Sequence, residues 1–250
     1  MPKSPHATTA DTLYRDLMER FFDTPEILLG PWTSYSLMYD PKHMAFVLSR
    51  YKFVAKMLQG RARVMEVGSG DGFGLPVVAQ AVGHVFAVDW DRRLLDGNAR
   101  RLRHLTNVTY VMANLNSESP DIQVDAAYWI DVLEHLDAAS EPAVIENIVR
   151  CLPDDGVLIT GTPNKTAGQY ASPQSSALHI NQKSSEDLQA LMQRYFHNVF
   201  MFGMNDEVLH TGFAPMCHYI WAVAVGKRKA RGSTFEREGG SSHVQAEVEK

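Results

Sequence analysis

Apolar positions along the chain follow two rhythms, and their succession predicts the architecture before any chemistry is considered. Leu13, Leu17, Met18, Phe21 and Phe22 recur at helical spacing, so residues 9–22 are read as an amphipathic helix expected to cover something. A break rich in proline and aromatics follows, Thr24-Pro25-Glu26 and then Gly30-Pro31-Trp32-Thr33-Ser34-Tyr35, with the composition of a loop that folds over a ligand. Asp40-Pro41 opens a second helix, in which Met44, Val47, Leu48, Tyr51, Val54, Ala55 and Leu58 keep the helical period up to Gly60. Beyond Gly60, short apolar runs at 64–67, 84–89, 108–113, 125–131 and 157–162 read as strands, separated by helical stretches at 75–82, 91–104 and 140–152. Ser184-x-x-Asp187 resembles a capping box and opens a helix through Leu188, Leu191, Met192 and Tyr195. Runs at 199–202 and 219–225 close the pattern as two further strands.

Strand and helix thus alternate, and the first junction carries the candidate chemistry. Val64-Met65-Glu66-Val67 delivers an acidic residue and then glycines at every second position, Gly68, Gly70 and Gly72, before the helix opening at Leu75. Such a turn brings bare backbone N–H groups and a helix N-terminus against a ligand. The spacing does not fit the dinucleotide pattern G-x-G-x-x-G, because counting from Gly68 places Phe73 on the last glycine and counting from Gly70 places Leu75 there. The second strand ends in Asp89, in the position where α/β sites put an acid against a ribose hydroxyl pair, and Trp90 beside it offers a face for adenine.

Composition narrows the function class. With 250 residues, 45% hydrophobic and 21% charged, the chain has material for one sizeable domain with decorations. A net charge of -5 argues against a broad nucleic-acid face and favours small substrates. Cys151 and Cys217 are far apart with no C-x-x-C, which points to reduced, buried thiols. No run has the length of a membrane span, and Met1-Pro2-Lys3-Ser4-Pro5-His6 lacks the apolar core of a signal peptide, so a cytoplasmic protein without membrane contact is expected. From Lys227 onward a basic run gives way to Gly, Ser and Glu, read as a disordered tail over 227–250.

Glu66-x-Gly68-x-Gly70-x-Gly72 resembles the first motif of class I S-adenosylmethionine-dependent methyltransferases of the small-molecule type, and Asp131-Val132-Leu133-Glu134-His135 resembles their strand-4 motif. The resemblance covers roughly residues 60–226 and implies an α/β fold: a Rossmann-like, doubly wound, seven-stranded sheet with an antiparallel last strand. Residues 1–59 are then an N-terminal helical cap, and 163–183 an insertion after strand 5 that builds the acceptor site. It further implies S-adenosylmethionine as cofactor and S-adenosylhomocysteine as product, held by Glu66, Gly68, Gly70, Gly72, Asp89, Trp90, Asn114 and Asp131. Asn114, where many members place an Asp, would accept from the adenine amino group. Arg50 and Tyr51, on the helix opening at Pro41, are candidates to meet the cofactor carboxylate, because Arg offers a planar two-pronged donor.

The reaction so implied is a direct displacement in which an acceptor oxygen or nitrogen attacks the sulfonium methyl. Two histidines compete as its base: His135 in the turn after strand 4, and His179 in the insertion, the favoured one. Glu134 with His135 resembles a pair that binds a divalent ion in some quinone methyltransferases, but no third ligand is identifiable along the chain, and no metal is expected. Thr162-Pro163-Asn164 followed by His179-x-Asn181 looks like methyltransferases of sugar and cell-envelope biosynthesis. The acceptor expected is a small molecule, a sugar or sugar nucleotide. The alternatives are a quinone or secondary-metabolite acceptor, or a non-catalytic protein that binds the cofactor; a homodimer is compatible with all of these.

Overall fold

The computed structural model describes residues 9–171 and 177–228. Its centre is a parallel sheet in which β1 (Arg63–Val67) pairs with β2 (His84–Asp89) on one side and β4 (Ala126–Ile130) on the other. β3 (Val108–Met112) extends the first side and β5 (Val157–Pro163) the second, both parallel. β8 (Tyr219–Lys227) then adds antiparallel to β5, and β6 (Phe196–Asn205) antiparallel to β8. The full order is β3-β2-β1-β4-β5-β8-β6-β7, eight strands where the sequence predicts seven. The extra strand is β7 (Val208–His210), a three-residue return that hairpins onto β6 through a tight turn with Asp206 at φ 49°. Three residues are too few to show a period-two pattern.

β4 runs through the middle and is buried along its whole length. Its side chains alternate between the two apolar layers of the molecule: Ala127 and Trp129 join Met65, Val67, Ile145, Ile148, Leu188 and Met192 on one face, whereas Ala126, Tyr128 and Ile130 join Val54, Leu58, Leu75, Val78 and Trp221 on the other. The first layer seats α6 (Glu141–Arg150) and α7 (Ser185–Gln193); the second seats α3 (Pro41–Met57) and α4 (Leu75–Ala79), with α5 (Arg92–Arg101) beside β2 and β3. Ser184 and Asp187 form both bonds of the expected capping box. Asp40, by contrast, makes no side-chain cap at α3 and leaves the start to Pro41.

The N-terminal region differs most from expectation. Residues 9–22 do form a helix, α1 (Thr9–Asp23), but none of its residues is buried, and Leu13, Phe21 and Phe22 of its apolar face stay largely exposed among the described residues. The stretch read as a loop contains α2 (Pro31–Tyr39). Pro31 sits at the first helical position, where its missing N–H costs nothing, and a carboxylate from a distant loop completes the start, as described below. At the other end Lys227 closes β8 instead of opening the tail; the tail beyond residue 228 lies outside the described residues.

Candidate cofactor and acceptor site

The glycine-rich turn leaves β1 with Gly68, Gly70 and Gly72 at φ 68°, 54° and 74°, a region that side chains rarely enter. Gly68 N–H and Ser69 N–H both donate to the Val88 carbonyl, at 2.9 and 3.1 Å. Gly70 N–H donates to Asp89 Oδ2 and Asp91 N–H to Asp89 Oδ1, each at 2.9 Å. Asp89, nearly buried, is thereby fixed by a backbone amide on each oxygen and keeps further lone pairs for a diol. Gly68, Asp89, Trp90, Asn114, Val132 and Leu136 line one cleft across the carboxyl ends of β1, β2 and β4, at the point where the strand order reverses.

The remaining candidates are placed less simply. Trp90 stands largely in solvent at the rim of this cleft. Asn114 is exposed, and its Oδ1 accepts from Asn116 N–H at 3.1 Å, a turn bond that takes one of the lone pairs expected for adenine. Glu66 lies under the turn, 2% exposed, with the Tyr51 and Tyr128 hydroxyls facing it; Glu66 Oε2 and the Tyr128 hydroxyl nevertheless complete no hydrogen bond of ordinary geometry. Burial pushes the Glu66 carboxyl up to about 8, and the two phenols only partly offset this. Arg50 does not point freely into the cleft: its Nη1 lies 2.6 Å from Asp131 Oδ2 and its guanidinium stacks 4.0 Å above the Tyr219 ring. Asp131 itself holds φ 56°, an unusual conformation for a residue with a side chain, and its N–H donates to the Gly161 carbonyl.

Two contacts join the N-terminal cap to the turn. Asp71, in the middle of the glycine motif, accepts from Thr33 N–H at 2.8 Å and from the Thr33 hydroxyl at 3.1 Å, so it serves as the N-cap that α2 lacks locally. The Trp32 ring lies over Gly70, where a Cβ would come within 2.6 Å of it. Neither Asp71 nor Thr33 stood out in the sequence, because trans capping between residues so far apart leaves no local pattern.

Beyond β4 the chain makes a single 3-10 turn, Leu133–His135. The return leg of the insertion is pinned to this turn: Asn181 N–H donates to the Glu134 carbonyl at 3.0 Å, and Asn181 Nδ2 to Glu141 Oε2 at 2.8 Å. Lys183 adds an ion pair with Glu141 at 2.8 Å. These bonds bring His179 against His135, with ring centroids 5.1 Å apart. His135 Nδ1 lies 3.1 Å from the Leu178 carbonyl, which can only accept, so this nitrogen carries a proton, and the lone pair of the neutral ring is on Nε2. Burial lowers the His179 pKa, helped by His135 and Arg50 and opposed by Asp131, and so favours the neutral ring. Glu134, wholly buried, accepts from the Thr162 hydroxyl at 2.9 Å through Oε2; its Oε1 has no partner, nor does the buried His179 Nδ1. Burial, reinforced by Asp131, raises the Glu134 pKa. Glu134, His135 and His179 each offer an atom within 4.8 Å of the others. Both predicted histidines are thus brought together, while the bond from Thr162 to Glu134 and the burial of Glu134 came into view only with the fold.

A family profile for a methyltransferase domain matches residues 39–197. A probable S-adenosylmethionine-dependent methyltransferase of Mycobacterium tuberculosis is 28% identical over 144 residues, 56% of this chain and 51% of that protein. Protein-L-isoaspartate O-methyltransferase of Saccharophagus degradans is 43% identical over 76 residues, 27% of this chain and 34% of that protein. The chain therefore spans about half the length, or less, of the curated relatives it matches. Among solved structures, the methyltransferase domain of a bacterial Hen1 superposes with a TM-score of 0.60 at 18% identity, over 72% of this chain and 99% of that one. The N-methyltransferase NodS of Bradyrhizobium japonicum, bound to S-adenosylhomocysteine, superposes with a TM-score of 0.58 at 13% identity, over 84% and 97%. At such identities these likenesses concern the fold.

Proposed function

Since the chain belongs to the class I S-adenosylmethionine-dependent methyltransferases, we propose that it transfers the cofactor's methyl group to an oxygen or nitrogen of a small acceptor seated beside His135 and His179. The observation that carries this reading is the Val132 side chain, which lines the cofactor cleft and packs within 2.5 Å of where a Gly68 Cβ would stand. The turn bearing Glu134 and His135 starts at the next residue, so the polar cluster adjoins the cofactor cleft. S-adenosylmethionine is already activated, so alignment of sulfonium and acceptor is the main demand, worth up to ~7–11 kcal/mol in favourable cases.

In this reading Asp89 holds the ribose, the glycine turn passes under the cofactor and Trp90 flanks adenine. The acceptor's nucleophilic atom then attacks the methyl carbon as the S–C bond breaks, and S-adenosylhomocysteine leaves. A neutral His179 has the lone pair needed to take a hydroxyl proton, with His135 as the other candidate. The Thr162-Pro163-Asn164 exit from β5, its Asn164 side chain clamped to the Ala214 and Cys217 carbonyls, anchors an insertion suited to gripping a sugar or sugar nucleotide. The solved neighbours include an N-methyltransferase and a small RNA methyltransferase, so the fold alone does not choose the acceptor.

The test is release of S-adenosylhomocysteine on addition of acceptor pools, comparing the unaltered chain with His179→Ala. The substitution is expected to lower turnover by roughly 10²- to 10⁴-fold with cofactor affinity nearly unchanged. Full turnover at saturating acceptor would remove His179 from the reaction, and no methyl transfer to any pool, with the cofactor bound, would favour a non-catalytic cofactor-binding protein.

A further inference from the structure

We infer that Glu134, His135 and His179 hold a divalent transition-metal cation, which grips the acceptor through an oxygen; the acceptor half of this inference rests on the methyl-transfer reading above. Two features beyond proximity point to a ligand. The Glu134 carboxyl is wholly buried yet uses only Oε2, leaving Oε1 without a partner, and His179 Nδ1 is likewise buried and unpartnered. Buried polar atoms rarely go unmatched, because losing water without gaining a partner is costly. One cation satisfies both at once.

The surroundings are those of oriented ligands. The Thr162 hydroxyl fixes the Glu134 carboxylate, and the Leu178 carbonyl fixes the His135 tautomer with the Nε2 lone pair free. Outer partners of this kind usually set a ligand's direction and basicity. Atoms sharing one ion at ~2.1 Å stand at most ~4.2 Å apart, so a cluster spread over 4.8 Å closes around an ion with side-chain shifts below an ångström. Asp131 is near but engaged by Arg50 at 2.6 Å, which both removes it from the set and offsets the Arg50 charge that would repel the ion. Two imidazoles and a carboxylate favour Mn²⁺, Zn²⁺ or Fe²⁺ over Mg²⁺ or Ca²⁺, and three ligands leave positions for acceptor oxygens. When both imidazoles are engaged on the cation, it replaces the histidine base: it lowers the pKa of a bound hydroxyl, and as the methyl carbon–oxygen bond forms and the sulfur–carbon bond breaks, the hydroxyl proton passes to water. Such an arrangement selects an oxygen acceptor, and a diol above a lone hydroxyl.

The experiment is binding of Mn²⁺ to the chelator-treated, metal-free full chain, followed by the loss of the free-ion electron paramagnetic resonance signal, with S-adenosylhomocysteine titrated separately by calorimetry. One saturable Mn²⁺ site is expected, displaced by Zn²⁺ and scarcely by Mg²⁺. His179→Ala and His135→Ala, at partly exposed positions that spare the core, should each weaken it at least 10-fold, and Thr162→Val by about 10- to 100-fold through loss of the Glu134 orienting bond. Cofactor affinity should stay within a factor of about two. No saturable site in the unaltered chain, or equal Mn²⁺ affinity in the His135→Ala/His179→Ala double variant, overturns the inference while leaving methyl transfer standing. Mn²⁺ binding without any S-adenosylhomocysteine binding would keep the cation site and overturn its assigned role in the acceptor step.

Discussion

At the residue scale the most informative group is Glu66. Its carboxyl is raised from 4.5 to about 8 by burial, so the folded chain keeps a proton that the unfolded chain releases. The stability due to the neutral carboxyl is therefore intact below about 4.5 and drains away as pH rises to about 8. Glu66→Gln, neutral throughout, should lack this dependence, so the unfolding free energy of the unaltered chain should fall relative to the variant by about 1.4 kcal/mol per pH unit across that window. Parallel urea-unfolding profiles for the two chains would show that Glu66 ionises normally. The sequence offered Glu66 only as part of a motif, and its environment was not legible, because Tyr51 and Tyr128 reach it from a helix and a strand distant in the chain. Asp89 was legible from its place at a strand end; the amides that immobilise it were not, since the Gly70 bond depends on the turn's fold.

At the element scale, α2 shows how tertiary contacts override composition. Proline and aromatics in 30–35 suggest a loop, and a helix forms because Asp71 supplies the missing cap. Asp71→Ala should cost about 0.5–2 kcal/mol and act locally: hydrogen exchange at the Thr33 amide should accelerate while amides in β4 remain protected. Unchanged protection at Thr33 would mean that α2 stands without the cap. The capping box of α7 was readable because both partners lie within one helical turn. The pairing of His135 with His179 was not, because it depends on Asn181 bonding across the turn after β4.

At the scale of the whole molecule, the alternation of strand and helix fixed the class of fold, and two apolar layers about a buried β4 realise it. Strand order beyond β5 was open in the sequence, because the last strands pair through contacts that no local period encodes. The layered build also sorts the four tryptophans. Trp129 and Trp221 are sealed in the core, whereas Trp32 over the glycine turn and Trp90 at the cleft rim are 60% and 72% exposed. The core pair should emit as a constant blue background and the exposed pair as a red-edge component, with Trp90 beside the cleft open to adenine. Titration with S-adenosylhomocysteine should quench the red edge alone, and Trp90→Phe should abolish most of that change; an unaltered red edge while calorimetry registers binding would place the nucleoside away from both rings. On that outcome the chain carries its own optical gauge of cofactor occupancy, readable without any label.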